Sequence, residues 1–170
     1  MKKRWESYVM YRQNEKLVEF WKEYYKDKSG AKVLFLLGKG FDPRMNNILK
    51  LFLENNPEQV LDCVAFDFPN EKDPVENKKL YEINSQQLAE LKDQYCFGYE
   101  ELKIDGSLPW DKRIAQMSRQ VIGKDLSAYN DVIMDVSSLP RAFYFNIGKA
   151  LFNNCLLYTS DAADEARSVD

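Results

Sequence analysis

The chain has 170 residues with 24 basic and 27 acidic side chains, which give a formal charge of −3 at pH 7. This length fits one domain of ordinary size, and without a basic excess we expect no nucleic-acid partner. The absence of histidine excludes Ser-His-Asp and Cys-His catalysis and histidine metal sites within these residues. No apolar run approaches the ~20 residues of a membrane span and no signal peptide is found, so we expect a cytoplasmic protein without a membrane partner.

The first predicted element is an amphipathic helix over Trp5–Lys28, within an N-terminal helical region of residues 1–30. Its apolar residues recur at helical spacing among many charges, and Ser29-Gly30 ends it. We expect its aromatic side chains to pack on a sheet rather than to stack on bases, because no basic stripe accompanies them. The apolar positions are Val9, Leu17, Phe20, Trp21, Tyr24 and Tyr25.

The segment Lys32–Arg44 reads KVLFLLGKGFDPR. Its apolar run Val33–Leu37 predicts a strand buried on both faces. We interpret Gly38-Lys39-Gly40 as a turn in which backbone N–H groups approach a ligand, and Asp42 and Pro43 as the N-cap and first residue of a helix. Strand, glycine turn and helix N-terminus together form the anion cradle of nucleotide-binding α/β folds. The ligand-binding residues predicted in this segment are Gly38, Lys39, Gly40, Phe41, Asp42 and Arg44.

Helices and strands alternate along the rest of the chain. The predicted helices are Arg44–Glu54, Glu76–Tyr95, Trp110–Ile122 and Arg141–Leu151, and the further predicted strands are Gln59–Phe68, Glu100–Ile104 and Asp131–Val136. Alternation of this kind predicts a mainly parallel sheet with helices on both faces. We therefore assign residues 31–154 to a Rossmann-like α/β domain that is incomplete at its C-terminal end. The apolar stripe predicted for the helix Glu76–Tyr95 is Leu80, Ile83, Leu88 and Leu91.

Two strand-to-helix loops carry an arginine at the same place. Arg44 and Arg141 each follow a proline, in the first turn of a predicted helix, where a cation opposes the helix dipole at a cost of about 0.3–1 kcal/mol. In a sheet of order 3-2-1-4 these two loops are neighbours at the topological switch point. We predict that both arginines flank a bound phosphate or carboxylate. Alternatively, Asp42 and Ser138 cap the helices while the arginines point into water, or Arg44 pairs with Asp42.

Two aspartates stand at the ends of predicted strands. Asp67 occupies the position at which dinucleotide-binding folds place the carboxylate that accepts ribose hydroxyls, and the alternative is a solvated loop acid. Asp135 is the candidate catalytic residue, because a carboxylate there can bind a hydroxyl, hold a metal or act as a base with a raised pKa. It can equally accept a hydrogen bond from Ser137 or Ser138. These serines and Arg141 complete the predicted ligand-binding residues, and we predict no metal site.

The sequence GKGFDPR is similar to the GxGxDxR motif of S-adenosylmethionine-dependent methyltransferases of the leucine carboxyl methyltransferase type. Residues Phe66–Pro69, followed by Glu76–Leu80, resemble the second motif of that family, in which an acidic residue near a proline precedes a Lys-rich helix start. The resemblance covers Val33–Leu80. The later segment DVSSLPR does not resemble the downstream pattern of the family.

This resemblance implies binding of S-adenosylmethionine and transfer of its methyl group. Gly38 and Gly40 would then border the methionine part of the cofactor, while Arg44 would help to order the site and Asp67 would hold the ribose. Methyl transfer also suits a chain without histidine, because it depends on cofactor positioning more than on a charged catalytic set. NAD and ATP are the alternative cofactors. The alternative functions are an NAD-type or nucleotide-processing enzyme that uses Asp135 and a non-catalytic nucleotide-sensing or interaction domain.

The last sixteen residues, Cys155–Asp170, read CLLYTSDAADEARSVD and resemble the translation of a transposase-type sequencing adapter. We therefore expect the natural gene to continue differently after Asn154, and we expect this tail to make little contact with the core. The tail holds one basic residue, Arg167, and four acidic residues, so the rest of the chain carries 23 of each and has no net charge. The sequence leaves the oligomeric state open.

Overall fold

The computed structural model describes residues 14–68 and 74–152, which form a four-stranded parallel sheet with helices on both faces. The strands are β1 (Lys32–Lys39), β2 (Val60–Asp67), β3 (Gly98–Lys103) and β4 (Asp131–Met134). The helices are α1 (Asn14–Tyr25), α2 (Asn47–Asn55), α3 (Val75–Tyr95), α4 (Trp110–Ile122) and α5 (residues 141–152). The predicted α/β class with a Rossmann-like parallel sheet is confirmed. Within the described ranges, no helix is long and apolar enough to cross a lipid bilayer.

The strands lie in the order β3-β2-β1-β4, which is the order expected for a doubly wound fold. β1 pairs in parallel with β2 over its whole length and with β4 from Val33 to Leu36. Because parallel strands point the same way, the loops after β1 and β4 emerge side by side at one edge, which we call the carboxyl edge of the sheet. The chain changes direction across the sheet between these two strands, so this edge contains the topological switch point.

β1 is buried on both faces because helices cover both sides of the sheet. Its side chains alternate between the faces, so that Val33, Phe35 and Leu37 contact the core formed with α1, α2 and α3. Leu34 and Leu36 contact the core formed with α4 and α5. All five side chains are fully buried, which confirms the two-sided burial predicted from the apolar run.

Helix α1 belongs to the first of these two cores. The Trp21 ring packs edge-on against Phe52 of α2 with ring centroids 5.2 Å apart, and Tyr25 meets the same ring at 5.8 Å. The beginning of the predicted N-terminal helix, most of the predicted loop Asn70–Pro74 and the tail Cys155–Asp170 lie outside the described residues.

The start of α2 differs from the sequence prediction. The helix begins at Asn47 rather than at Arg44, and residues 43–46 form turns. The Asp42 carboxylate accepts a hydrogen bond from the backbone N–H of Arg44 at 2.8 Å, which closes a local turn instead of capping α2. Arg44 therefore precedes the helix and does not oppose its dipole.

The predicted glycine turn also begins later than expected. The ladder with β2 continues through the pairs Gly38↔Phe66 and Lys39↔Asp67, so both residues belong to β1. The chain bends only from Gly40 onward. The prediction of a turn at Gly38-Lys39-Gly40 was therefore wrong, because hydrogen bonding to β2 extends the strand by two residues.

Helix α3 buries a face that its apolar pattern does not predict. Leu88 and Leu91 are buried as expected, but Leu80 and Ile83 are 36% and 41% exposed. The polar Asn84 is buried in line with Leu88 and Leu91, because its side-chain amide donates hydrogen bonds to two carbonyl groups of the loop after β1. Satisfying these carbonyls determines which side of the helix faces inward.

Gly38 is predicted to be required for stability by its contact with the loop after β4. A Cβ atom at this position would lie 2.6 Å from the backbone carbonyl oxygen of Ser138. We expect Gly38→Ala to lower the free energy of unfolding, measured by urea denaturation, by about 1–3 kcal/mol, the usual cost of overpacking.

Gly40→Ala is the matched control for this prediction. Its Cβ would meet only the Ser138 carbonyl oxygen, at an ordinary contact distance of 3.9 Å. The expected change in the free energy of unfolding is within about 0.5 kcal/mol. Equal losses in the two variants would contradict the close packing at Gly38.

Candidate functional site

The loop after β1 is held in place by α3 and by its own side chains. The Asn84 amide donates to the carbonyl oxygens of Gly40 and Asp42, both at 2.8 Å. The backbone N–H of Gly40 donates to the Met45 Sδ atom at 3.3 Å. A thioether sulfur is a weak acceptor, so this N–H is held less firmly than the carbonyl groups around it.

Arg44 is paired within its own loop. Its Nε atom lies 3.0 Å from Asp42 Oδ1 and its Nη2 atom 2.7 Å from Asp42 Oδ2. These hydrogen bonds from the guanidinium lower the pKa of Asp42. Of the alternatives open from the sequence, the structure therefore shows the pairing of Arg44 with Asp42. The positive charge that was expected to flank an anion is already balanced.

The loop after β4 lies against the end of β1. The Ser138 hydroxyl donates a hydrogen bond to the carbonyl oxygen of Gly38, and thus does not cap α5. Arg141 stands in the first turn of α5, as predicted, and its side chain is exposed. Among the described residues, Arg141 has no hydrogen-bond or ion-pair partner. Its positive charge, unlike that of Arg44, is therefore not balanced by a neighbouring carboxylate.

Asp135 is the least satisfied charged group at this edge. The residue is only 6% exposed, and its backbone N–H donates to the carbonyl oxygen of Leu36 at 2.8 Å. Its Oδ1 atom accepts a hydrogen bond from the backbone N–H of Ser137 at 2.8 Å. Its Oδ2 atom is buried and has no hydrogen-bond partner among the described residues, a situation that costs free energy for any buried carboxylate.

The electrostatic surroundings of Asp135 favour its protonated form. Burial raises the pKa of Asp135, and the hydrogen bond from the Ser137 backbone N–H opposes this effect without cancelling it. The nearby Asp42 carboxylate raises this pKa further, whereas Arg44 lowers it. A perturbed buried carboxylate at a strand end is typical of functional sites, although structural networks also produce it.

A second group of polar side chains lies beside the ends of β1 and β2 and along β3. Lys39 Nζ contacts Glu101 Oε2 at 2.8 Å, and the Tyr99 hydroxyl donates to the same oxygen at 3.1 Å. The Tyr81 hydroxyl of α3 donates to Asp67 Oδ1 at 2.8 Å, and its ring centroid lies 5.3 Å from Lys39 Nζ. We call these five residues the Lys39 cluster. Sequence analysis found Lys39 and Asp67 but missed the other three.

Within the Lys39 cluster, the charges of Lys39 and Glu101 balance each other. Burial alone would lower the pKa of Lys39, but its contacts with Glu101 and Tyr81 outweigh burial and raise that pKa. Burial alone would raise the pKa of Glu101, but Lys39 and Tyr99 hold it below its ordinary value. Lys39, which the sequence predicts as a ligand-binding residue, is therefore held by Glu101 and does not present a free charge to an anion.

The two aspartates lie on opposite sides of β1. Asp67 ends β2 and pairs in register with Lys39, whereas Asp135 follows β4. Two strand spacings separate them across the sheet, a distance of about 10 Å. Cavities of about 550 Å³ along α4 and about 260 Å³ between α1 and the α2–β2 loop are lined by none of the predicted site residues. No group of three or more metal-ligating side chains is found within the described ranges.

Comparisons of the chain with protein-family models, curated proteins and solved structures find no significant match. The geometry of the carboxyl edge is therefore the basis for a functional proposal. The residues there that sequence analysis missed are Asn84, Tyr81, Tyr99 and Glu101. An available signal was the period of two in β3, which places Tyr99 and Glu101 on one face of the sheet.

Asp135→Asn is predicted to stabilise the protein at neutral pH. Because the folded-state pKa of Asp135 is raised, this carboxyl contributes most to stability below the ordinary aspartate pKa of about 4, and the contribution is lost as the pH rises through the raised value. Asparagine keeps an acceptor for the Ser137 N–H but does not ionise. We expect the variant to have the higher free energy of unfolding at pH 7, and the difference to shrink toward pH 4.

Glu101→Gln is the control, for which the expected change in the free energy of unfolding at pH 7 has the opposite sign. Since the folded-state pKa of Glu101 is lowered, its contribution to stability is present above the ordinary glutamate pKa and is lost as the pH falls. The variant is expected to be less stable than the parent at pH 7 by urea denaturation. A loss of stability at pH 7 in Asp135→Asn would contradict the unpaired state of Asp135.

Proposed function

We propose that the carboxyl edge between β1 and β4 binds a small molecule that combines a nucleoside with a charged amino-acid group, for which S-adenosylmethionine is the best fit. The observation that carries this proposal is Asp135, a buried carboxylate with one oxygen that lacks a partner among the described residues. It lies at the topological switch point, where open α/β sheets bind their ligands. The ammonium group of S-adenosylmethionine would supply the missing partner.

The charges beside Asp135 favour a zwitterionic group over a phosphate. The exposed Arg141, at the N-terminus of α5, is suited to a carboxylate, and Asp135 is suited to an ammonium. The Asp135 carboxylate would repel the phosphates of NAD or ATP, and Asp42 already balances the charge of Arg44. This polarity supports S-adenosylmethionine as the leading ligand and leaves NAD and ATP as the alternatives.

The other half of the ligand would lie across β1 toward Asp67. A nucleoside that extends from Asp135 over two strand spacings, about 10 Å, reaches the end of β2. Gly40 borders this path. The space beside it is open, because a Cβ atom at this position would meet only one atom within 4 Å. Asp67 is then the acceptor for ribose hydroxyls, the role that carboxylates have at this position in dinucleotide-binding folds.

Methyl transfer is the reaction class that we assign to such a site. Transfer from a sulfonium depends chiefly on holding the donor and the acceptor in line, and no charged catalytic set is needed for that. A non-catalytic sensing domain would use the same ligand site. Ligand binding is therefore tested before methyl transfer, because it is common to both functions.

The binding test uses isothermal titration calorimetry on the full chain. We expect S-adenosylmethionine to bind, and Asp135→Asn to weaken this binding about tenfold or more, as expected for the loss of a charged hydrogen bond. Binding of 5′-methylthioadenosine, which lacks the amino-acid group, should be unchanged by Asp135→Asn. Gly40→Val should weaken the binding of both ligands, since the valine side chain would occupy the path of the nucleoside.

Three outcomes would contradict the proposal. Binding of NAD or ATP without S-adenosylmethionine would replace the zwitterionic site by a phosphate site. A folded Gly40→Val variant that binds as tightly as the parent would place the ligand elsewhere. Absence of binding by all of these compounds, with a protein shown to be folded by circular dichroism, would overturn the ligand-binding function.

A further inference from the structure

We infer that Tyr81 is a positioning residue that orients Asp67 for recognition of ribose, so that the site distinguishes ribose from 2′-deoxyribose. This inference rests on the proposed function, because it concerns the nucleoside half of the same ligand. Asp67 is 5% exposed, and the Tyr81 hydroxyl donates to its Oδ1 atom at 2.8 Å. A carboxylate held through one oxygen keeps a defined plane, which fixes where its second oxygen accepts a hydrogen bond.

Tyr81 reaches Asp67 from the helix that also holds the loop after β1. Asn84, one turn further along α3, donates to the carbonyl oxygens of Gly40 and Asp42. The same helix therefore fixes both the loop beside Gly40 and the acid at the end of β2. Any movement of α3 would change the two contacts together, so the distance between the loop and the carboxylate is set by one rigid element.

The hydroxyl of Tyr81 is held as a donor. Burial and the Asp67 carboxylate raise the pKa of Tyr81, which keeps the phenol protonated at physiological pH. The Lys39 ammonium, 5.3 Å from the Tyr81 ring centroid, is bound to Glu101 at 2.8 Å and is not available to replace the phenol at Asp67. The phenol proton is directed to Asp67, and the nearby Lys39 ammonium offsets only part of the rise in the Tyr81 pKa.

Orientation of this kind has a measurable consequence for ligand choice. A fixed carboxylate oxygen accepts a hydrogen bond from a ribose hydroxyl, whereas a deoxyribose does not supply that hydrogen bond. Sites built to bind a hydroxyl reject analogues that lack it for this reason. A carboxylate that is free to rotate can turn toward water or another donor instead, so it discriminates less.

The test compares adenosine with 2′-deoxyadenosine in the parent, Tyr81→Phe and Tyr99→Phe, by calorimetry on the full chain. We expect the parent to bind adenosine about tenfold more tightly than 2′-deoxyadenosine. Tyr81→Phe should bring the ratio of the two affinities close to one, chiefly by weakening the binding of adenosine. Tyr99→Phe removes a hydroxyl that is bound to Glu101 rather than to Asp67, and should leave the ratio as in the parent.

A cycle with Asp67→Ala tests whether Tyr81 acts through Asp67. If it does, the double variant Tyr81→Phe/Asp67→Ala has the same ratio as Asp67→Ala alone, because the two effects are not additive. A purely structural role of Tyr81 would weaken both nucleosides equally and leave the ratio unchanged, which would overturn the inference. Equal affinity of the parent for the two nucleosides would also overturn it, while binding of S-adenosylmethionine would still uphold the proposed function.

Discussion

The contact between Gly38 and Ser138 brings the two loops of the carboxyl edge together. The carbonyl oxygen of Ser138 occupies the place that a Cβ of residue 38 would need, and the Ser138 hydroxyl binds the carbonyl oxygen of Gly38. Together with the hydrogen bond from the Asp135 N–H to the carbonyl oxygen of Leu36, these contacts pack the start of the β4–α5 loop against the end of β1. Asp135 is buried as a result. The unusual carboxylate is therefore a consequence of close backbone packing.

Pairing of charges decides what this edge can bind. The two cations nearest the end of β1, Lys39 and Arg44, are engaged by Glu101 and Asp42. What remains at the switch point is a buried carboxyl group, Asp135, and an exposed cation, Arg141. The proposal of a ligand group that carries both charges, rather than a phosphate, rests on this pattern.

The strands and the burial of β1 follow from the apolar runs, because a parallel sheet with helices on both faces requires continuous hydrophobic strands. The strand order agrees with the doubly wound arrangement considered for alternating strands and helices. The start of α2 could not be predicted from the sequence pattern, since the Asp42 side chain competes locally for backbone N–H groups. The inward face of α3 did not follow either, because Asn84 is placed by its hydrogen bonds to another loop. The Lys39 cluster depends on the register among three strands, and a single sequence does not fix that register.

The most direct test of the account is the pKa of the Asp135 carboxyl, measured by carbon-13 NMR with and without S-adenosylmethionine. The account predicts a pKa above the ordinary aspartate value of about 4 in the free protein, because burial disfavours the charged form. It predicts a fall in that pKa when the ligand binds, because an ammonium group stabilises the carboxylate. A pKa at the ordinary value in the free protein, or one that S-adenosylmethionine leaves unchanged, would contradict the assignment of Asp135 as the charged partner of the ligand.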